Sequence, residues 1–154
     1  MTEIADNPLR SAAPTEVPLR DAPLVRVLAQ VRFPLLASIQ NLASIAPFQE
    51  AIRTDYPILR PEQVHNLVLG PSGPTIQVEQ VWRFTDVEEA WRVSLSPNFV
   101  ALETQAYISR ADFLARLGRI AGALTGPLDP KVIERLGIRY INRIQGVHVG
   151  EITD

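Results

Sequence analysis

Apolar and polar side chains alternate in several short stretches of the chain, and this period of two residues predicts β-strands. Proline and glycine bound these stretches, as at Pro34 and in the turn at residues 70–74. The predicted strands cover residues 24–33, 64–69, 76–84, 91–96, 99–104 and 136–144. Short strands of this kind predict a protein built mainly on a sheet.

One stretch of helical spacing follows the first strand. We predict a helix near residues 45–55, with Ser44 as its N-cap and Pro47 in the first turn, where no amide donor is needed. Pro57 ends it. Its inward face is expected to contain Phe48, Ala51 and Ile52, with Tyr56 as a further candidate.

A second helix is predicted before the last strand. Ser109 and Asp112 have the spacing of a capping box, and Gly-Pro at residues 126–127 ends the helix. Gly118 and Gly122 form a G-x-x-x-G pattern on this amphipathic helix, and we expect them to allow close packing on the sheet.

The element order β-α-β-β-β-β-α-β predicts an α+β fold, with a mostly antiparallel sheet and two helices packed on one face. The three runs at residues 76–104 are joined by short turns, which indicates an antiparallel meander. The last strand follows a helix, so a parallel pairing with an earlier strand stays open. Residues 1–22 are predicted to form a flexible tail, and residues 23–154 a single domain.

The most specific run of side chains is GIRYINRI, residues 137–144. With period two, Tyr140 and Asn142 lie on one face of the strand, and Arg139 and Arg143 lie on the other. Asn142 interrupts an otherwise apolar face. We expect it to be buried with a hydrogen-bond partner, because an unpaired buried amide costs about 1–3 kcal/mol.

The composition fits one globular domain and argues against several kinds of site. The chain has 154 residues, 46% hydrophobic and 21% charged, and its net charge of −2 argues against nucleic-acid binding. It contains no cysteine, and His65 and His148 are far apart, so we expect no metal, no cofactor and no catalytic nucleophile. No apolar run is long enough to span a bilayer, and the first ten residues lack the pattern of a secretory signal. We therefore expect a cytoplasmic protein with no membrane contact.

Two groups of side chains are candidates for binding. Arg135, Arg139 and Arg143 share a strand face, where they either meet an anion or acidic partner or protect an exposed sheet edge. The aromatic residues Trp82, Phe84, Trp91 and Tyr140 form either plain core or a pocket, whose polar groups would be the Tyr140 hydroxyl, Gln80 and Asn142.

Three segments of the chain resemble a known group of bacterial proteins. They are Ala22-Pro-Leu24 with the strand end Arg32-Phe33, then Trp82-x-Phe84 with Val93-x-Leu95 and Leu102-x-Thr104-x-x-Tyr107, and the closing run at residues 137–144. Over about residues 22–145 the chain resembles a sporadically distributed family of uncharacterised bacterial proteins whose shared signature is R-Y-I-N. Members of that family are longer. The resemblance therefore implies that this chain corresponds to the N-terminal half of a two-lobe protein, and it implies no reaction.

From these features we expect a non-enzymatic binding or interaction module that presents Arg139 and Arg143 to a protein partner or a second lobe, or that self-associates. The alternative is a small anionic-ligand domain or an enzyme that uses Arg139, Tyr140 and Asn142. The predicted core consists of inward apolar residues, namely Val27, Val31, Phe33, Ile52, Val78, Trp82, Phe84, Val93, Leu117 and Ile138.

Overall fold

The computed structural model of the protein describes residues 23–71 and 73–143, together with Thr15 and Val17. The predicted tail otherwise lies outside the described residues, as does Ile144. The strands are β1 (Leu24–Arg32), β2 (Ile58–Gly70), β3 (Gly73–Thr85), β4 (Trp91–Ser96), β5 (Phe99–Thr104) and β6 (Arg135–Asn142), and the helices are α1 (Leu42–Ile52) and α2 (Arg110–Thr125). Apart from a short 3-10 helix, Ala37–Gln40, this is the predicted order of elements.

Within the described residues the strands form one six-stranded sheet in the order β2-β3-β4-β5-β1-β6. Every neighbouring pair is antiparallel, which confirms the predicted α+β class. The last strand pairs with the first, with Arg32 opposite Arg135 and Val27 opposite Tyr140. β5 and β6 therefore run in the same direction on either side of β1, so that β5, α2 and β6 form a split β-α-β unit.

The two helices pack on one face of the sheet. Phe48 of α1 meets Phe84 of β3 edge-on, with ring centroids 5.6 Å apart, and Phe113 of α2 packs against Trp91 of β4 at 6.0 Å. Most of the predicted core is confirmed. Val31 is partly buried, and the buried residues are Val27, Phe33, Ile52, Trp82, Phe84, Val93 and Leu117. Removal of these side chains from water supplies the main stabilisation of the fold.

Two predicted core residues, Val78 and Ile138, are 56% and 43% exposed, so their predicted burial is wrong. Both point to the helix side, as their alternation requires. In the β2–β3 hairpin, β3 begins to pair with β4 only at Trp82, which lies opposite Leu95. Residues 62–81 of the hairpin extend beyond that point, and Val78 is one of them. We call this extension the hairpin arm. Ile138 lies on the edge strand β6, beyond the part of the sheet that the helices cover.

Helix α1 begins earlier than predicted. Its N-cap is Asn41, not Ser44, and the Asn41 side chain accepts a hydrogen bond of 2.9 Å from the Ala43 amide. Pro47 therefore lies inside the helix rather than in its first turn. Both cap candidates have suitable side chains, and the start at Asn41 follows from the 3-10 helix that ends directly before it.

Helix α2 begins as predicted, because the Ser109 hydroxyl accepts a hydrogen bond of 3.1 Å from the Asp112 amide. The predicted close packing of Gly118 and Gly122 is wrong. Both are exposed, and a Cβ placed on either would have no neighbouring atom within 4 Å. The helix packs through a different face, which contains Phe113, Leu117, Ile120 and Leu124.

Candidate functional site

The predicted binding residues lie at the β6 edge of the sheet. Arg139, Tyr140 and Asn142 are exposed residues of β6, and Arg143, also exposed, directly follows it. The Arg143 amide donates a hydrogen bond of 2.7 Å to the Pro23 carbonyl, which continues the pairing with β1 beyond the strand end. All four residues are therefore held on one extended segment.

These residues are divided between the two faces of β6. Tyr140 lies opposite Val27, on the helix side, and its ring meets that of Tyr107 edge-on with centroids 6.0 Å apart. Arg139 lies opposite Leu28, on the other side of the sheet. Asn142 is two residues from Tyr140 and shares its side. Arg139 and the pair Tyr140 and Asn142 therefore do not converge on one small site.

The expected burial of Asn142 is wrong, since the residue is exposed. The same side of β6 carries Leu136, which is 60% exposed, and Ile138. This is the side of the sheet on which the helices pack, but the helices do not cover β6. The Asn142 amide and the apolar groups are therefore exposed to solvent. Asn142 needs no buried partner there.

The candidate aromatic pocket is core. Trp82, Phe84 and Trp91 are buried, and the Trp82 Nε1 atom donates a hydrogen bond of 2.6 Å to the Ile39 carbonyl. Tyr140 is 48% exposed and lies apart from them, against Tyr107.

The sheet face opposite the helices, which we call the open face, contains a cavity of about 280 Å³. Its polar lining consists of Gln30, Arg32, Glu79, Arg83 and Asn98, and its apolar lining of Val64, Val81 and Phe99. The cavity joins β1 to the hairpin arm, although two strands separate β1 from β3 in the sheet. The open face is therefore concave between β1 and the arm. None of the predicted binding residues lines this cavity.

The charged groups on the arm side of the cavity have partners. Arg83 Nε lies 2.9 Å from the Glu62 carboxylate, and Arg83 Nη1 donates to the Ser94 hydroxyl. The Ser96 hydroxyl donates to the Glu79 carboxylate. This side of the cavity is thus held in place by a side-chain network.

The β1 side of the cavity has a different charge arrangement. Arg32, which lines the cavity, lies directly opposite Arg135 on the open face. No ion pair joins either arginine to another residue within the described ranges. The Arg135 guanidinium lies beside Gly137, since a Cβ added to Gly137 would be 3.9 Å from the Nε and Nη2 atoms of Arg135. Gly137 itself lies opposite Gln30.

Sequence reasoning missed the Arg32–Arg135 pair. The alternation of the first strand already places Arg26, Gln30 and Arg32 on one side. What the pattern could not supply is the register of β1 against β6, which brings Arg32 beside a residue far away in the chain.

A second cluster joins α2 and the segment after α1 to the sheet. The Arg116 Cζ atom lies 4.2 Å from the centre of the Trp91 ring, and Arg116 Nε lies 3.2 Å from the Asp112 carboxylate. Burial raises the pKa of the Tyr56 phenol above its ordinary value, and the nearby Arg116 opposes this rise. The Tyr56 hydroxyl nevertheless has no hydrogen-bond partner of normal geometry among the described residues. The cluster ties the segment after α1 to α2 and β4.

In the described part of the chain, no group of three or more metal-binding side chains is placed to hold an ion. No helix in these ranges is long and apolar enough to cross a membrane. Comparison of the chain with protein-family models, with curated proteins and with solved structures gave no match.

Proposed function

We propose that this protein is a non-enzymatic interaction module whose partner adds a β-strand to the outer edge of β6, which pairs with no strand in the described part of the chain. The observation that carries the proposal is the exposure of both faces of this edge strand. On the helix side, Leu136, Ile138 and Tyr140 remain 60%, 43% and 48% exposed, and on the open face Arg135 and Arg139 are exposed. An edge strand offers a row of backbone donors and acceptors, and an added strand satisfies them.

The other edge strand, β2, is less suited to pairing. It contains Pro61, which has no amide donor, between the charged residues Arg60 and Glu62. Proline and charge on an edge both discourage the addition of another strand. β6 contains no proline, and one of its faces is mainly apolar.

We take the partner to be a second copy of this chain, because β6 is complementary to itself. In an antiparallel pair about a two-fold axis, each residue faces its mirror position across the centre of the strand. With Ile138 at the centre, Leu136 faces Tyr140 of the second copy, and Ile138 faces its own equivalent. The exposed apolar side chains then cover one another in a continuous row.

The arginines favour the same register. With Ile138 at the centre, Arg135 faces Ile141 of the second copy and Arg139 faces Gly137. A shift to Gly137 as the centre would place Arg135 opposite Arg139, and a shift to Arg139 would place that residue opposite itself. Like charges directly opposite are destabilising. A further shift to Tyr140 avoids this conflict but pairs a shorter segment.

The resemblance to the R-Y-I-N family supports a bacterial, cytoplasmic protein, and the second lobe that it implies would occupy the same edge. Arg139 and Arg143 would then contact that lobe, because their planar guanidinium groups suit carboxylates at the rim of an interface.

Sedimentation at increasing concentration tests the proposal. We expect the wild type to dimerise and Ile138→Lys to remain monomeric, because two lysines would face each other at the centre of the pair. Val78→Lys is the matched control, since Val78, like Ile138, is an exposed β-branched residue of a strand but lies on the hairpin arm. A wild type that stays monomeric, or an Ile138→Lys variant that still dimerises, overturns the assignment of a second copy.

A cross-linking experiment tests the register. The chain has no cysteine, so every disulfide must come from an introduced residue. Ile138→Cys should form a disulfide dimer on mild oxidation, because facing Cβ atoms of an antiparallel pair lie within reach of a bond. Leu136→Cys alone should cross-link poorly, whereas a mixture of Leu136→Cys and Tyr140→Cys should cross-link well. The opposite pattern overturns the proposed register.

A further inference from the structure

Arg32 and Arg135 form a positive site on the open face, and no ion pair within the described ranges neutralises it. Arg26 lies 3.2 Å from Glu103, and Arg83 lies 2.9 Å from Glu62, so these arginines have carboxylate partners. Arg32 and Arg135 instead face each other across β1 and β6. Two like charges in directly opposite positions destabilise a sheet unless something compensates for them.

We propose that the cavity on the open face binds a small molecule through an oxyanion group, a carboxylate or a phosphate, held by Arg32 and Arg135. Guanidinium groups recognise these anions because their N–H donors match the spacing of two oxygen atoms. Arg32 lines the cavity, and the Arg135 guanidinium lies beside Gly137, whose cross-strand neighbour Gln30 is also in the lining. An anion there would neutralise the repulsion between the two arginines.

The remaining lining residues indicate which kind of ligand fits. Phe99 lies directly opposite Arg32 on β5, and Val64 and Val81 contribute apolar surface from the hairpin arm. Gln30 and Asn98 add neutral polar groups. A cavity with a few placed polar groups and an apolar wall is typical of a small-molecule site. The ligand therefore combines an anionic group with an apolar portion.

The arm side of the cavity orients this ligand. Glu79 contributes a carboxylate that accepts a hydrogen bond from Ser96. This negative charge repels an anion from the arm. The oxyanion is thus directed to the Arg32 side, and the apolar portion to the region between Phe99 and the arm.

The site does not depend on strand addition at β6. Its ligand would lie on the open face, whereas a partner strand would lie beside β6 in the plane of the sheet. The oligomeric state tests strand addition at β6, and anion binding tests the site on the open face. Either proposal can therefore fail while the other holds.

Thermal unfolding of the full chain in phosphate, acetate and chloride at matched ionic strength tests the site. A ligand that binds only the folded state raises the melting temperature. We expect phosphate or acetate to raise it above the chloride value, and the larger response identifies the preferred oxyanion. A response no larger than that of chloride overturns the proposal, because it would reflect general screening.

Variants locate the response. Arg32→Gln and Arg135→Gln should each weaken binding of the effective anion by about tenfold or more, as the loss of charged hydrogen bonds does. Arg26→Gln is the matched control on the same strand and face, and it should retain the response. In chloride alone, Arg32→Gln should not lower the melting temperature, because it removes a like-charge contact. Retention of the anion response in both Arg32→Gln and Arg135→Gln, or its loss in Arg26→Gln, overturns the assignment.

Discussion

The indole Nε1 atom of Trp82 donates a hydrogen bond of 2.6 Å to the backbone carbonyl of Ile39, and this bond fastens the 3-10 helix to the buried side of β3. Trp82 is 6% exposed. Its side chain therefore combines a large buried surface with the only polar group that it has to satisfy.

We expect Trp82→Ala to lower the free energy of unfolding by about 3–5 kcal/mol, as aromatic truncations in cores do. Trp82→Phe keeps an aromatic ring but leaves the Ile39 carbonyl without its donor, which costs about 1–3 kcal/mol. Urea denaturation measures both changes. Leu69→Ala is the control, because Leu69 is 79% exposed. A Trp82→Phe variant as stable as the wild type would show that the hydrogen bond contributes nothing.

Stability should fall at high pH because of Tyr56. Burial holds the pKa of its phenol above the ordinary value in the folded protein, whereas the unfolded chain titrates near pH 10. As the pH rises above about 10, the unfolded chain loses the proton while the folded chain keeps it, and the folded state is penalised. Its contribution to stability is therefore complete below that pH and is lost as the pH rises through the folded value.

Tyr56→Phe should remove part of this fall in urea denaturation between about pH 8 and pH 11. It should not destabilise the protein at neutral pH, because the hydroxyl lacks a partner of normal geometry within the described residues. Tyr140→Phe on the exposed edge is the control. An unchanged pH profile in Tyr56→Phe would show that other groups cause the loss.

The start of helix α1 can be tested through its two cap candidates. Asn41→Ala should lower the free energy of unfolding by about 1 kcal/mol, because the Ala43 amide loses its acceptor. Ser44→Ala should leave it nearly unchanged, since alanine favours a helix interior. The reverse order in denaturation experiments would mean that the helix begins at Ser44.

On β6, Asn142→Ala and Arg139→Lys should both change the free energy of unfolding by less than about 0.5 kcal/mol, because both residues are exposed. Arg139→Lys should also leave dimerisation intact, because Arg139 faces Gly137 of the second copy and meets no carboxylate there. Thermal melts beside sedimentation measure the two effects separately. A large loss of stability in Arg139→Lys, with association intact, would make Arg139 a structural residue.

The local pattern of the chain determined the type and order of its elements. Alternation of apolar residues is a property of neighbouring positions, and it correctly predicted six strands, although β2 (Ile58–Gly70) is about twice as long as the predicted run at residues 64–69. It even placed Val78 and Ile138 on the helix side and separated Arg139 from Asn142. Ser109 likewise predicted the start of α2, because a cap acts within one helical turn.

Exposure and proximity were decided only by the tertiary structure. Val78 and Ile138 are exposed because the hairpin arm and β6 extend beyond the two helices, and no local pattern encodes how far a helix layer reaches. Arg32 and Arg135 meet because β6 pairs with β1 in one particular register. The cavity exists because residues of β1 and of the hairpin arm, far apart in the chain, line one concavity. Each of these features depends on contacts between distant segments, and such contacts form only when the whole chain buries its core.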